Sequence, residues 1–184
     1  MFFLITGGAR SGKSTLAVNI GRSHLGKVIF IATAPNLDDD MSERIKRHQL
    51  ERPEWETIEE ECEILSHLKR GKSGDLLIVD CITLWVSNLL FHGKTEKEII
   101  DAAIEIGQVA RTSPCAFVMV TNEVGMGIHP ETDLGREYRD LLGKVNQILV
   151  KESTKALFVI SGRVMNLQNF SDIDDFTFQQ GISS

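Results

Sequence analysis

The sequence predicts an α/β fold with a mainly parallel sheet sandwiched by helices. Three observations carry that expectation. Short apolar runs rich in Val, Ile and Phe recur without strict alternation, as strands covered on both faces should. Helical patterns separate them. The first run passes straight into a glycine-rich turn that opens a helix. With 184 residues, 42% apolar and 25% charged, the chain has ordinary globular composition, and residues 1–184 read as one domain.

The strands are expected at Phe2–Thr6, Lys27–Thr33, Asp75–Asp80, Cys115–Thr121 and Lys155–Ser161. The first is apolar but short and lacks a basic leader, so it reads as a strand and not a signal peptide, which points to the cytoplasm. Helices are expected at Lys13–His24, about Asp39–Arg52, Glu61–Arg70, Ile82–Phe91, Glu96–Arg111 and Glu131–Glu152. The last carries Leu134, Tyr138, Leu141, Leu142, Val145, Ile148 and Leu149 in a 3.6-residue stripe. In the tail, 170–184, the segment Asp174–Gln180 is a candidate extra edge strand.

Several function classes are disfavoured at once. A net charge of −6 supplies no basic face to displace the counterions of nucleic acid. No apolar run is long enough to span a bilayer. Cys62, Cys81 and Cys115 are odd in number and widely spaced, which argues against disulfides and a zinc site.

The pattern G-x-x-x-x-G-K-[ST] is matched by Gly7, Gly12, Lys13 and Ser14, enclosing Gly8, Ala9, Arg10 and Ser11. A strand before it and an amphipathic helix after it are the context this phosphate-binding loop (P-loop) requires. Glycines let backbone amides turn toward phosphate oxygens, and the helix offers its positive N-terminal end. Lys13 would reach the β- and γ-phosphates and Ser14 would ligate Mg²⁺. The companion carboxylate should end another buried strand, and Leu76-Leu77-Ile78-Val79-Asp80 supplies one at the sheet edge where ligands bind. Asp80 could instead cap the helix starting at Ile82.

Among five histidines, His24, His67 and His92 have plain readings at helix ends or on a polar face, and His129 lies in a loop. His48 differs: on a helix, Arg44, His48 and Arg52 fall at i, i+4 and i+8. Two nearby cations disfavour the imidazolium, and a neutral imidazole is nucleophilic beside arginines able to hold phosphate. Met41, Ile45 and His48 also follow i, i+4, i+7, so spacing alone favours a histidine that borders the core.

The ordered set of motifs resembles the bifunctional adenosylcobinamide kinase/adenosylcobinamide-phosphate guanylyltransferase family of cobalamin biosynthesis. The likeness rests on Thr6–Ser14, Ile31-Ala32-Thr33-Ala34, Asp39-Asp40-Met41 with Arg44–His48, Trp55–Glu59, Asp80–Trp85 with Ser87–Leu90, Thr121–Pro130, Arg136, Arg139-Asp140 and Gly143–Gln147. It implies a RecA-like fold, a homotrimer, and two reactions. In one, ATP or GTP phosphorylates the aminopropanol hydroxyl of adenosylcobinamide. In the other, GTP donates GMP through a guanylylated histidine, matched here by His48, to give adenosylcobinamide-GDP. The same matching assigns Gly7–Ser14 to phosphates, Ala32, Thr33 and Ala34 to the nucleotide, and Gln49, Leu50, Glu51, Arg52, Glu59 and Asp80 to the GTP site. The chain lacks the Asn-Lys-x-Asp guanine motif of regulatory GTPases, with Thr121-Asn122-Glu123-Val124 after the corresponding strand. It also departs from the family's Gly-Leu-Pro-Leu-like turn, carrying Ser161-Gly162-Arg163-Val164-Met165-Asn166-Leu167 there. The competing readings are a single-activity small-molecule kinase with a structural His48, and a switch or motor ATPase without group transfer.

Overall fold

The computed structural model describes residues 1–34 and 55–169. The helix expected near Asp39–Arg52 and the strand expected in the tail lie outside the described residues.

In chain order the elements are β1 (Phe2–Gly7), α1 (Lys13–Arg22), β2 (Val28–Ala32), β3 (Glu56–Glu59), α2 (Ile64–Leu68), β4 (Leu76–Asp80), α3 (Ile82–Phe91), α4 (Glu96–Thr112), β5 (Ala116–Val120), α5 (Asp133–Glu152), β6 (Lys155–Ile160) and β7 (Arg163–Leu167). They form a seven-stranded sheet in the order β3-β2-β4-β5-β1-β6-β7. Every pair is parallel except β6–β7. One row of paired residues crosses it from edge to edge: Glu59, Ala32, Asp80, Val120, Ile5, Leu157 and Asn166.

Alternate strand residues build two cores, because successive side chains point to opposite faces. Phe2, Leu4, Ile31, Leu77, Val79, Phe117 and Met119 pack beneath α2, α3, α4 and α5. Ile5, Phe30, Ile78, Val118, Val120, Leu157 and Val159 face the other way, with Ala17 of α1 among them. On the first face Trp85 is almost fully buried, and its indole N–H donates to the Cys62 carbonyl at 2.8 Å, tying α3 to the loop after β3.

The five expected strands and the helices α1, α3, α4 and α5 all form. The segment expected as helix over Glu61–Arg70 is helical only from Ile64 to Leu68. Two strands were not foreseen, and both lie at sheet edges. β3 buries little of Glu56, Thr57 and Glu59, and every residue of β7 is exposed, so neither carries the continuous apolar run of an interior strand. β7 arises from a two-residue hairpin turn: Ser161 (φ 50°) and Gly162 (φ 74°) both take positive φ, and Ile160 pairs with Arg163.

Candidate active site

The predicted loop occupies the bend from β1 into α1. Gly7 (φ 145°), Arg10 (φ 55°) and Gly12 (φ 105°) take positive φ, turning the chain back over the sheet edge. Gly12 is the N-cap of α1 and offers no side-chain cap, so the first helical amides are not satisfied in that way. Gly8, Ala9 and Arg10 are exposed, whereas Ser11 and Lys13 are buried. The Lys13 ammonium donates to the Gly8 carbonyl at 2.5 Å, within the arc its own loop describes. Burial holds its pKa below the ordinary lysine value, while the nearby Asp80 charge opposes that shift. The loop is braced from one side by Gly162, whose N–H donates to the Ser11 carbonyl at 2.9 Å. The turn that departs from the family pattern is therefore the turn that touches the phosphate loop.

Asp80 ends β4 on the same rim, level with Ile5 across β5. Its place is fixed by Thr33, which is fully buried. The Thr33 N–H donates to the Asp80 carbonyl at 3.1 Å. The Thr33 hydroxyl accepts from Cys81 N–H and donates to the Cys81 carbonyl, each at 2.7 Å. The Thr33 carbonyl in turn accepts from Asn88, whose other amide hydrogen goes to the Glu61 carbonyl. Burial, with the Asp80 charge second, pushes the Cys81 thiol up to about 12, so it stays protonated near neutrality.

A second buried network holds the chain after β5. Asn122 N–H donates to the Thr83 hydroxyl at 2.7 Å, and the Asn122 carbonyl accepts from Asn146 of α5 at 3.0 Å. The Thr121 hydroxyl donates to Asn146 Oδ1 at 2.8 Å, and the Tyr138 hydroxyl reaches the Thr83 carbonyl at 3.1 Å. Burial, with Cys81 second, raises the Tyr138 pKa above the ordinary phenol value.

The fold thus brings the phosphate loop, Asp80 and Ala32-Thr33-Ala34 to one rim. Glu59 lies on that rim too, but four inter-strand spacings from β1, roughly 19 Å away. His48 and Gln49, Leu50, Glu51 and Arg52 lie outside the described residues. Of the other histidines, His24 donates to the Gly74 carbonyl at 2.8 Å and His67 stands 3.5 Å from Glu60. His92 caps the C-terminus of α3. His129 accepts at Nδ1 from Arg139, a partner that only donates. Sequence reasoning missed the work of Thr33, Thr83, Asn88 and Asn146; the available signal is a short polar residue among apolar ones, at a strand end for Thr33 and on the buried face of a helix for the other three.

For a divalent cation, Ser14 and Asp80 offer hard oxygen donors, the set that suits Mg²⁺ when phosphates complete the shell. Among the described residues no group of three or more His, Cys, Asp or Glu forms a protein-only metal cage.

Comparison with known proteins agrees with this architecture. A solved ATPase from the type III secretion system of pathogenic bacteria superposes with a TM-score of 0.56, covering 85% of this chain and 50% of its own. At 12% identity it shows the fold alone, a P-loop ATPase arrangement of RecA type. The bifunctional adenosylcobalamin biosynthesis protein CobU of Escherichia coli K12 is 39% identical over 178 residues, covering 88% of this chain and 97% of its own length. Its Salmonella typhimurium LT2 counterpart is 41% identical over 181 residues, with the same coverage. The Pseudomonas aeruginosa PAO1 protein CobP is 35% identical over 168 residues, covering 90% and 96%. The family model described as cobinamide kinase / cobinamide phosphate guanyltransferase matches residues 3–167, nearly the whole of the described chain. With the phosphate loop and its facing aspartate in place, the chain belongs to that bifunctional enzyme family of cobalamin biosynthesis.

Proposed function

We propose that the chain phosphorylates the aminopropanol hydroxyl of adenosylcobinamide with ATP or GTP and then converts the product to adenosylcobinamide-GDP. The observation that carries this reading is the buried Lys13 inside the glycine loop, with Asp80 ending β4 on the same rim. In the kinase step the hydroxyl oxygen bonds to the γ-phosphorus, the bond from that phosphorus to the β–γ bridging oxygen breaks, ADP or GDP leaves, and the hydroxyl proton passes to solvent. Lys13 and the loop amides neutralise charge gathering on the phosphate oxygens. Ser14 and Asp80 would hold Mg²⁺, which would supply further charge neutralisation at the phosphates when bound.

In the transfer step a ring nitrogen of His48 bonds to the α-phosphorus of GTP and pyrophosphate leaves. A phosphate oxygen of adenosylcobinamide phosphate then attacks the same phosphorus, the P–N bond breaks and His48 is free again. Splitting one displacement between anions into two is the advantage of covalent catalysis. Gln49, Leu50, Glu51, Arg52, Glu59 and Ala32-Thr33-Ala34 complete the nucleotide site. We place the enzyme in the cytoplasm as a homotrimer; among the described residues no helix is long and apolar enough to cross a membrane.

Incubation with GTP labelled on its α-phosphate tests the transfer half. The expected product is an acid-labile, alkali-stable adduct that His48→Ala abolishes; intact folded protein without an adduct would sink the guanylyl-histidine. Adenosylcobinamide with γ-labelled triphosphate tests the kinase half, which fails if no label reaches the corrinoid.

A further inference from the structure

We infer that Asn122 is a catalytic residue of the kinase step, its carboxamide N–H donating to the γ-phosphate while Thr83 and Asn146 hold it in place. The inference rests on the phosphate-loop reading above and adds to it a residue that no motif assigns.

Topology comes first. β5 lies between β4, which ends in Asp80, and β1, which ends in the glycine loop. Val120 pairs with Asp80 on one side and Ile5 on the other, so the residues just past Val120 rise between the two groups facing the phosphates. The ladder to β1 continues beyond the regular strand: Thr121 N–H donates to Ile5 at 2.9 Å and Glu123 N–H to Gly7 at 3.1 Å. Asn122 is thereby carried in extended backbone alongside the first turn of the loop.

Orientation follows from alternation. Thr121 bonds Asn146 of α5 and so belongs to the face covered by α3, α4 and α5. Its successor belongs to the opposite face, that of Val118, Val120 and Ile5, where α1 leaves the phosphate loop. The backbone of Asn122 is satisfied by side chains on both groups, Thr83 at its N–H and Asn146 at its carbonyl. Asn122 is half-buried, and its own carboxamide makes no hydrogen bond among the described residues. Two mostly buried side chains are thus committed to fixing the backbone of one residue, whose own side chain is left uncommitted beside the cradle. Phosphate oxygens only accept, so the group that meets them is the amide N–H. A donor fixed in advance lowers the barrier because it needs no reorganisation as charge moves.

The test compares GTP and GDP binding, and single-turnover phosphoryl transfer to adenosylcobinamide, in wild type, Asn122→Ala, Asn122→Asp and Lys13→Ala. For Asn122→Ala the transfer rate is expected to fall about 10²- to 10³-fold. GTP affinity should fall roughly tenfold or more while GDP affinity holds. Asn122→Asp, which sets an anion against the γ-phosphate, should be worse on both counts. Thr83→Val should lower the transfer rate without changing KM for the corrinoid, and Thr83→Ser should restore it. Wild-type transfer and a wild-type GTP-to-GDP affinity ratio in Asn122→Asp would overturn the assignment. If Lys13→Ala still loses nucleotide in that case, only the role of Asn122 falls. If Lys13→Ala also binds as wild type, the phosphate-loop reading falls with it.

Discussion

Gly7 meets two demands that no other residue satisfies. Its φ of 145° is one that L side chains rarely adopt, and a Cβ there would lie 2.2 Å from the Val159 carbonyl oxygen. Gly7→Ala must therefore shift either β6 or the loop, and a strained φ alone costs about 1–3 kcal/mol. We expect a lower melting temperature together with at least a tenfold loss of GTP affinity, measured by calorimetry. Unchanged binding would mean that the loop tolerates displacement from β6. This constraint was legible in the sequence because the motif packs its chemistry into eight consecutive residues. Thr33, Thr83 and Asn146 were not, since their partners Cys81, Asn122 and Thr121 lie 25 to 48 residues away and meet them only in the folded sheet.

Among elements, α4 shows how local signals fix a boundary. Thr95 is its N-cap, accepting from Glu98 N–H, while the Glu98 carboxylate accepts from the Thr95 N–H and hydroxyl. Those bonds, with Lys94 adding to them, depress the Glu98 pKa to about 2. A carboxylate whose folded pKa is depressed contributes stability that is present above its unfolded value near 4.5. That contribution is lost as pH falls toward 2. The stability difference between wild type and Glu98→Gln should accordingly be largest near neutrality and fade between pH 4.5 and 2, as followed by denaturant unfolding. A difference that stays constant across that range would remove the ionised capping box as its cause. Interior strands were readable from continuous apolar runs and this helix from its helical pattern, each signal contained within one segment. β3 and β7 were not, because each is an edge strand made by its neighbour's ladder and not by its own apolar content.

On the scale of the whole molecule, the phosphate-binding rim gathers groups from Gly7 to Gly162, joined across the central strands. A ligand there is linked to global unfolding and not to the opening of one loop. A triphosphate present at about a hundred times its Kd should add about 2.7 kcal/mol, which raises Tm by about 5–10 °C for a chain of this size. Thermal unfolding with and without GTP checks this, and Lys13→Ala should abolish the shift. A shift that survives Lys13→Ala would place the nucleotide elsewhere.

The single row of paired residues from Glu59 to Asn166 sets the molecule's tolerance to change in length. An extra residue inside β4 or β5 would turn every later side chain in that strand to the wrong face, moving Asp80 or Asn122 off the rim while leaving composition untouched. The same residue added at the opposite end of the sheet, between Gly71 and Gly74 or near Pro114, is absorbed before the row begins. Insertions in this fold are thus judged by their side of the sheet, and one rim can lengthen freely only because the other is kept in register.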